Sequence, residues 1–185
     1  IARALSSPQK SVPLVVAVRD MLKLAKTSKD VRKMMAQKQL KINGRLPKDH
    51  RESIFLFNLL EADKPYILTI LPTKKFSFKE HKNTNSRVCK ITGKKLVKNS
   101  QIQLNCHDGT NLLSKDKIAV GDSIAIDLSG KIKEHIPLEK GKNVFVMSGK
   151  YTGLQGKIKL RAGKKVEIQI DDIHTIINQY QVIAL

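Results

Sequence analysis

Aromatic residues are scarce in this chain of 185 residues: they make up 4% of it, and tryptophan is absent. Proteins that hold single-stranded nucleic acid by stacking bases on aromatic rings need such residues, so stacking is not the main way in which this chain can bind a partner. Phe76 and Phe78 lie two positions apart between lysines. Because alternate residues of a strand share one face, we expect both rings to belong to a core.

Cysteine is almost as scarce, with Cys89 and Cys106 standing 17 positions apart. A structural zinc site needs four ligands and usually contains a close cysteine pair, so the sequence predicts two buried thiols in a reducing compartment, with no metal and no other cofactor. No apolar run approaches the roughly 20 residues of a transmembrane helix, so we expect no membrane partner. No secretory signal is evident, and because the chain opens at Ile1 rather than at methionine we expect some N-terminal sequence to be missing.

Acidic residues are few as well: 16 aspartates and glutamates face 35 lysines and arginines, which gives a formal net charge of +19. The excess is spread along the chain. Residues 1–62 carry 13 basic and 5 acidic groups (+8), residues 63–140 carry 15 and 8 (+7), and residues 141–185 carry 7 and 3 (+4). Mutual repulsion at this total opposes a compact free state, so we expect a polyanionic partner, and nucleic acid in particular.

A short basic helix is predicted to follow Thr27, whose hydroxyl can cap it together with the carboxylate of Asp30. Apolar residues recur on one face at Val31, Met34 and Met35, and the other face is left cationic. Such a helix on its own is typical of a solvated surface. Here a second helical pattern precedes it, formed by apolar residues that repeat after Pro13: Leu14, Val18, Met21, Leu22 and Ala25.

A tight hairpin turn is predicted directly after this helix. Leu40 and Ile42 alternate with Lys41 as in a strand, and Asn43 with Gly44 is a strong signal for a reversal in which both central residues take positive φ.

The order of two helices, a strand and an Asn-Gly turn resembles the small RNA-binding module named after bacterial ribosomal protein four, which recurs in ribosomal proteins, pseudouridine synthases and a tRNA synthetase. The resemblance implies that the basic side of the helix pair faces folded RNA. Lys38 stands where the module usually has glycine, so that lysine must adopt a strained left-handed conformation or the helix must end differently. The implied RNA contacts are Lys29, Arg32, Lys33, Lys38, Lys41, Asn43 and Arg45.

From Ile54 onward the helical period vanishes, and short extended runs alternate with turn residues such as Gly93, Gly109 and Gly130. So many short strands favour a closed or half-closed barrel over a wide open sheet. The predicted strands are 54–60, 66–71, 75–80, 87–91, 102–106 and 123–128.

The glycines of residues 141–158 fall between short strands and form a compact loop. By themselves they fit a tight β turn as well as a loop whose backbone amides approach phosphates. The segment resembles the KOW motif of ribosomal proteins and transcription elongation factors, with Gly156 at the position that the motif keeps as glycine. The resemblance implies loop-forming roles for Gly149, Gly153 and Gly156 and RNA contacts for Lys142, Lys150 and Lys157.

Taken in this order, the modules resemble the e-type ribosomal protein four family of archaeal and eukaryotic small subunits, and residues 117–132 resemble that family's middle-domain signature. The implied fold is a multidomain α+β protein: a small α-rich RNA-binding module, a β-barrel-like middle domain and a C-terminal SH3-like KOW β-barrel. The expected boundaries are a basic N-terminal extension over 1–10, the RNA-binding module over 11–62, the β-rich domain over 63–140 and the KOW domain over 141–185.

This resemblance implies a structural constituent of the small ribosomal subunit, cytoplasmic and assembled in the nucleolus if eukaryotic, with rRNA and neighbouring ribosomal proteins as partners and no small-molecule substrate. Two alternatives stay open: a KOW-containing transcription or translation factor that binds RNA transiently, and a pseudouridine synthase. The latter is favoured by the helix-strand module that pseudouridine synthases share and by residues 44–46, Gly-Arg-Leu, but Pro47 follows where a catalytic aspartate would stand. Since the sequence also contains no phosphate-binding loop and no recognisable catalytic set, we expect no enzyme.

Overall fold

The computed structural model describes residues 2–82, 85–97 and 101–185, and these residues are mostly in β-strands. They form two compact units, the first made of residues 1–69 and 75–87 and the second of residues 70–74 and 88–185. None of the helices in the described residues has the length and apolar character needed to cross a membrane.

The first unit combines two short helices with two small sheets. Helix α1, Leu14–Val16, continues as a π-helical turn, Ala17–Met21, and helix α2 is Ser28–Ala36. Strands β1 and β3 pair with each other, and the second sheet has the order β2-β4-β5-β6. The strands are β1 Ser11–Pro13, β2 Lys41–Ile42, β3 Ser53–Phe55, β4 Leu59–Glu61, β5 Pro65–Ile70 and β6 Phe76–Glu80.

The core of the first unit joins the helices to both sheets. Leu14 of α1, Val31 of α2 and Ile42 of β2 are at most 1% exposed and belong to one cluster. Phe76 and Phe78 are partly buried against the same cluster, so the expectation that they are core residues is confirmed. The apolar stripe of α2 therefore holds the helix on the unit and leaves its basic face outside.

Two elements of the first unit differ from the sequence prediction. The predicted strand 54–60 is wrong as a single strand, because Phe57 has a φ of 61° and the side-chain oxygen of Asn58 accepts a hydrogen bond from the Phe55 N–H at 3.0 Å, which forms a turn between β3 and β4. The first helix is also shorter than predicted. It ends in a π turn in which the Leu22 N–H donates to the Ala17 carbonyl.

The second unit contains two five-stranded sheets, with the orders β11-β10-β7-β8-β9 and β15-β14-β13-β12-β16. A 3₁₀ turn, Gln179–Gln181, precedes the last strand. Cys89 and Cys106 are both buried and unpaired with each other, as the sequence predicted. The strands are β7 Ser86–Leu96, β8 Ile102–Cys106, β9 Asn111–Ser114, β10 Ser123–Asp127, β11 Ile132–Ile136, β12 Asn143–Val146, β13 Gln155–Ala162, β14 Lys165–Ile170, β15 Ile173–Asn178 and β16 Val182–Ala184.

A buried carboxylate at the start of β10 links the two sheets of this unit. Asp122 is 4% exposed; its Oδ2 lies 2.8 Å from His135 Nε2, and its Oδ1 lies 3.6 Å from an Arg161 guanidinium nitrogen of β13. The hydroxyl oxygen of the neighbouring Ser123 accepts a hydrogen bond from the Ala184 N–H of β16 at 3.0 Å. Residues 121–123 therefore form part of the framework of the second unit.

Candidate nucleic-acid interface

Helix α2 begins with the predicted cap and presents three cations to solvent. The Thr27 hydroxyl oxygen accepts a hydrogen bond from the Asp30 N–H at 3.2 Å, and the Asp30 carboxylate accepts one from the Thr27 N–H at 2.9 Å. The Thr27 hydroxyl also donates to the Asp30 carboxylate at 2.9 Å, and this bond, together with the one from the Thr27 N–H, lowers the pKa of Asp30, so the helix start stays negatively charged. Residues three and four positions apart share a helix face, which places the following exposed side chains together: Lys29, Arg32 and Lys33.

Helix α2 ends with a lysine in a left-handed conformation. Lys38 has a φ of 58°; its N–H donates to the Met35 carbonyl at 2.9 Å, and the Gln39 N–H donates to the Met34 carbonyl at 3.0 Å. This is the Schellman arrangement, in which the residue after the cap is usually glycine. Of the two possibilities that the sequence left open, the strained lysine is the one found.

The Asn-Gly turn has the predicted geometry and is fastened to the neighbouring strand. Asn43 and Gly44 have φ values of 52° and 79°. The Asn43 side-chain oxygen accepts a hydrogen bond from the Leu59 N–H at 2.9 Å, and the Asn43 N–H donates to the Leu59 carbonyl at 2.8 Å. The oxygen of this side chain is thus used inside the protein, and only its amide nitrogen is left for a ligand.

The other predicted cations of the first unit differ in their surroundings. Arg45 forms an ion pair with Glu52, and the Lys41 ammonium lies 3.9 Å from a carboxylate oxygen of Glu61. Arg32 lies 3.3 Å from the Nε2 atom of His50. Of the contacts predicted in this unit, three exposed lysines have no ion-pair partner among the described residues, and their charges are free for phosphate: Lys29, Lys33 and Lys38.

The loop before β3 adds basic groups that the sequence reasoning missed. His50 lies beside Arg32, and the exposed Arg51 is 3.4 Å from Asp49. The Lys48 N–H donates to the same Glu52 carboxylate that pairs with Arg45. The charged run Lys-Asp-His-Arg over 48–51 was the available signal, but only the fold brings it next to α2 and the hairpin.

The three lysines predicted in the second unit are all exposed and lie on one strand pair and its loop. Lys157 of β13 is opposite Asn143 of β12, and the Lys142 carbonyl accepts a hydrogen bond from the Ile158 N–H at 3.0 Å. Lys142 and Lys157 therefore lie at the same end of this strand pair. Lys150 is in the connecting loop, with its ammonium 5.4 Å from the centre of the Tyr151 ring.

Two glycines of this segment lie where the backbone of the protein itself leaves no room for a side chain. A Cβ atom on Gly153, which has a φ of 86°, would collide with the Leu71 carbonyl, and one on Gly156 would lie 2.5 Å from the Gln169 carbonyl oxygen. Gly149 has a φ of 98°, and its carbonyl accepts a hydrogen bond from the Thr152 hydroxyl at 2.7 Å. These contacts and conformations give each glycine a structural reason within the protein itself.

One group of side chains has the composition of a metal site. The potential ligand atoms of Cys89, His107 and Asp108 lie within 4.8 Å of one another. His107 Nδ1, however, accepts a hydrogen bond from the Lys90 N–H, and Asp108 Oδ1 accepts one from the Thr110 N–H. Both residues thereby stabilise the turn between β8 and β9, which accounts for the grouping without an ion.

Comparisons with known proteins agree with the basic, β-rich architecture. The family model described as ribosomal family S4e matches residues 62–132. Small ribosomal subunit protein eS4 of Methanocella arvoryzae is 29% identical over 157 residues, which cover 83% of this chain and 67% of that protein. The protein of the same name from Methanococcus maripaludis is 32% identical over 165 residues, covering 82% and 68%.

The fold is also found in a solved structure. The crystal structure of the 30S ribosomal protein S4e from Thermoplasma acidophilum superposes with a TM-score of 0.81 over 95% of each chain, at 21% identity. The matched part of this chain spans about two thirds of the length of its curated relatives, 65% of that from Methanothermobacter thermautotrophicus, for example. On the strength of the relatives that are more than 30% identical, the chain belongs to the ribosomal family S4e.

Proposed function

We propose that this protein is a structural constituent of the small ribosomal subunit, which binds rRNA through basic surfaces and supports subunit assembly and translation. The main support is membership in a ribosomal protein family by a chain whose formal net charge is +19. The protein is accordingly a structural component rather than an enzyme. Its partners are the small-subunit rRNA and neighbouring ribosomal proteins, and its place is the cytoplasmic small subunit, with assembly in the nucleolus if the source is eukaryotic.

In the first unit we place the rRNA interface on the exposed side of α2, the end of that helix and the hairpin. Three lysines without an ion-pair partner in the described part of the chain, Arg32 beside His50 and Arg45 paired with Glu52 are held there by elements with fixed backbone geometry, which favours contact with phosphates at set positions. We retain residues 11–62 as an RNA-binding module of the ribosomal protein four type. The proposed contacts are Lys29, Arg32, Lys33, Lys38, Lys41, Arg45 and the side-chain nitrogen of Asn43.

We propose that residues 141–185, in the second unit, form an SH3-like KOW barrel. We also propose that residues 63–140 form the β-rich central domain, although the first unit includes residues 63–69 and 75–87 of it. Lys142 and Lys157 at one end of the β12–β13 pair and Lys150 in its loop are the proposed contacts in the second unit. Gly149, Gly153 and Gly156 support them indirectly, since they allow the tight packing that fixes the loop. The three lysines are exposed, as phosphate contacts require.

The binding mechanism that follows is electrostatic. Lysines and arginines held beside the phosphates of adjacent RNA helices reduce the repulsion between those helices and release condensed counterions. If about eight to ten phosphates are neutralised, the logarithm of the affinity falls with the logarithm of the salt concentration at a slope of roughly −6 to −9. A slope shallower than about −2 on isolated rRNA would contradict the mechanism.

The test of the interface is a triple charge reversal, Arg32→Glu with Lys33→Glu and Lys41→Glu. All three side chains are exposed, so the fold should persist while incorporation into small subunits is lost. The matched control reverses three exposed lysines outside the proposed interface, Lys115, Lys117 and Lys133, and should still be incorporated. Circular dichroism checks the fold of both variants, and incorporation of the first at the level of the control would refute the assignment of the face.

A further inference from the structure

The end of the chain differs in charge from everything before it. Residues 141–165 contain seven basic and no acidic side chains, whereas residues 166–185 contain no lysine or arginine and three carboxylates, Glu167, Asp171 and Asp172. A surface that lacks lysine and arginine and carries carboxylates repels phosphate. This segment is therefore a poor candidate for contact with phosphate.

The same segment contains an open sheet edge. Strand β15 pairs with β14 over six residues and stands at the end of its sheet, with no second partner strand among residues 2–82, 85–97 and 101–185. The outward backbone groups of such a strand are a template for another extended chain. The edge strand β11 carries Lys133 and Glu134, charges that discourage such pairing, whereas β15 has neither lysine nor proline.

Exposed apolar side chains accompany this edge. Ile176 is 65% exposed and Ile173 47% exposed, and Tyr180, just past the strand, is 66% exposed. Through the register of the strands, Leu160 of β13, Glu167 of β14 and Ile176 of β15 form one row across the sheet. Since Leu160 is also 55% exposed, the row presents two apolar side chains around a carboxylate.

We propose that β15 is a docking edge for an extended lysine- or arginine-rich segment of another protein, which joins the sheet as an additional strand. Backbone hydrogen bonds to β15 would supply affinity, Ile176 and Leu160 would contact apolar side chains on one face of the added strand, and the three carboxylates would select cationic ones. A second copy of this chain fits less well, because it would bring two sets of Glu167, Asp171 and Asp172 together. The inference rests on the proposed function in that it places the basic segment on a neighbouring protein of the small subunit.

The test uses the protein within assembled small subunits. The photoreactive residue benzoylphenylalanine replaces Ile176 in one variant and, as a control, Leu113, which is 60% exposed on the edge strand β9 of the other sheet. After irradiation of purified subunits, mass spectrometry should identify a lysine- or arginine-rich segment of another protein attached at position 176 and not at position 113. Attachment to rRNA or to a second copy, or no attachment in subunits that contain the variant, would overturn the inference.

Failure of the proposed function would look different, because neither variant would then enter the subunit.

A binding experiment follows the crosslinking. The segment found attached at position 176 is synthesised and titrated against the isolated full chain. An Ile176→Lys change should weaken the binding of this segment by about tenfold or more, since it places a lysine against the lysines and arginines of the segment. Leu113→Lys should leave the binding unchanged. Equal binding by the two variants would show that β15 is not the docking edge.

Discussion

Replacing Lys38 with glycine separates the effect of this residue on the stability of the fold from its effect on RNA binding. A left-handed conformation costs an L-residue roughly 1–2 kcal/mol, and the φ of 58° places Lys38 in it. Glycine removes that strain but loses more backbone entropy on folding, which takes back about 0.5–1 kcal/mol. Because the two hydrogen bonds at the end of α2 involve only backbone atoms, they persist, and we expect Lys38→Gly to raise the free energy of unfolding by up to about 1.5 kcal/mol.

The same change removes one cation from the proposed interface, so rRNA binding should weaken and the salt slope should become shallower by about one. The chain offers a matched control in Lys74, an exposed lysine with a φ of 63° that lies outside the proposed interface. Lys74→Gly alters the net charge equally and should also stabilise the fold, but it should leave rRNA binding as it was.

Urea unfolding followed by circular dichroism gives the stabilities, and filter binding over a range of salt concentrations gives the slopes. If the Lys38→Gly variant is less stable than the original protein, the claim that Lys38 is strained is refuted. A slope equal to that of the Lys74→Gly variant would refute the phosphate contact.

Three further predictions concern the second unit. Asp122→Ala should lower the free energy of unfolding by about 2–3 kcal/mol, because it leaves the buried Leu138 N–H without an acceptor and removes the contact with Arg161; denaturant unfolding measures this, and a loss under about 1 kcal/mol would contradict the linking role. Gly156→Ala should cost about 1–3 kcal/mol in a thermal melt, whereas Gly93→Ala, whose Cβ would meet only a side chain at 3.7 Å, should cost much less; equal costs would contradict the packing role. Burial lowers the pKa of Lys90 from 10.5 to about 7, so between these pH values the unfolded chain binds more protons than the folded one, and the free energy of unfolding should rise with pH. Urea unfolding at several pH values should show this rise in the original protein but not in Lys90→Met, and an equal dependence on pH in the two proteins would contradict it.

Local signals in the sequence predicted the elements that depend on neighbouring residues. The Thr27 cap, the apolar stripe behind Val31 and the Asn43 turn each rest on contacts within a few positions, and each is found. The predicted strand over 54–60 failed because Asn58 forms a turn with its own side chain, a use that its apolar neighbours concealed.

Other features depend on residues far apart in the chain and could not be derived from periodicity. The contact of Asp122 with Arg161 and the pairing of β12 with β16 join positions about forty residues apart. Strand β15 was not predicted either, although its β-branched residues were a signal. In the candidate interface the sequence indicated which cations to consider, and the fold added that Arg45 is paired, that Lys38 is strained and that His50 lies beside Arg32.

The central claim, that the cations of this chain are held in place for permanent contact with the small-subunit rRNA, is tested most directly by sedimentation. Small subunits that carry a tagged copy of the full chain are centrifuged through a high-salt gradient, and the number of copies of the protein per particle is then measured. We predict one copy per small subunit, retained through the gradient. Release at moderate salt, or far less than one copy per particle, would contradict the claim and point to a transiently bound factor.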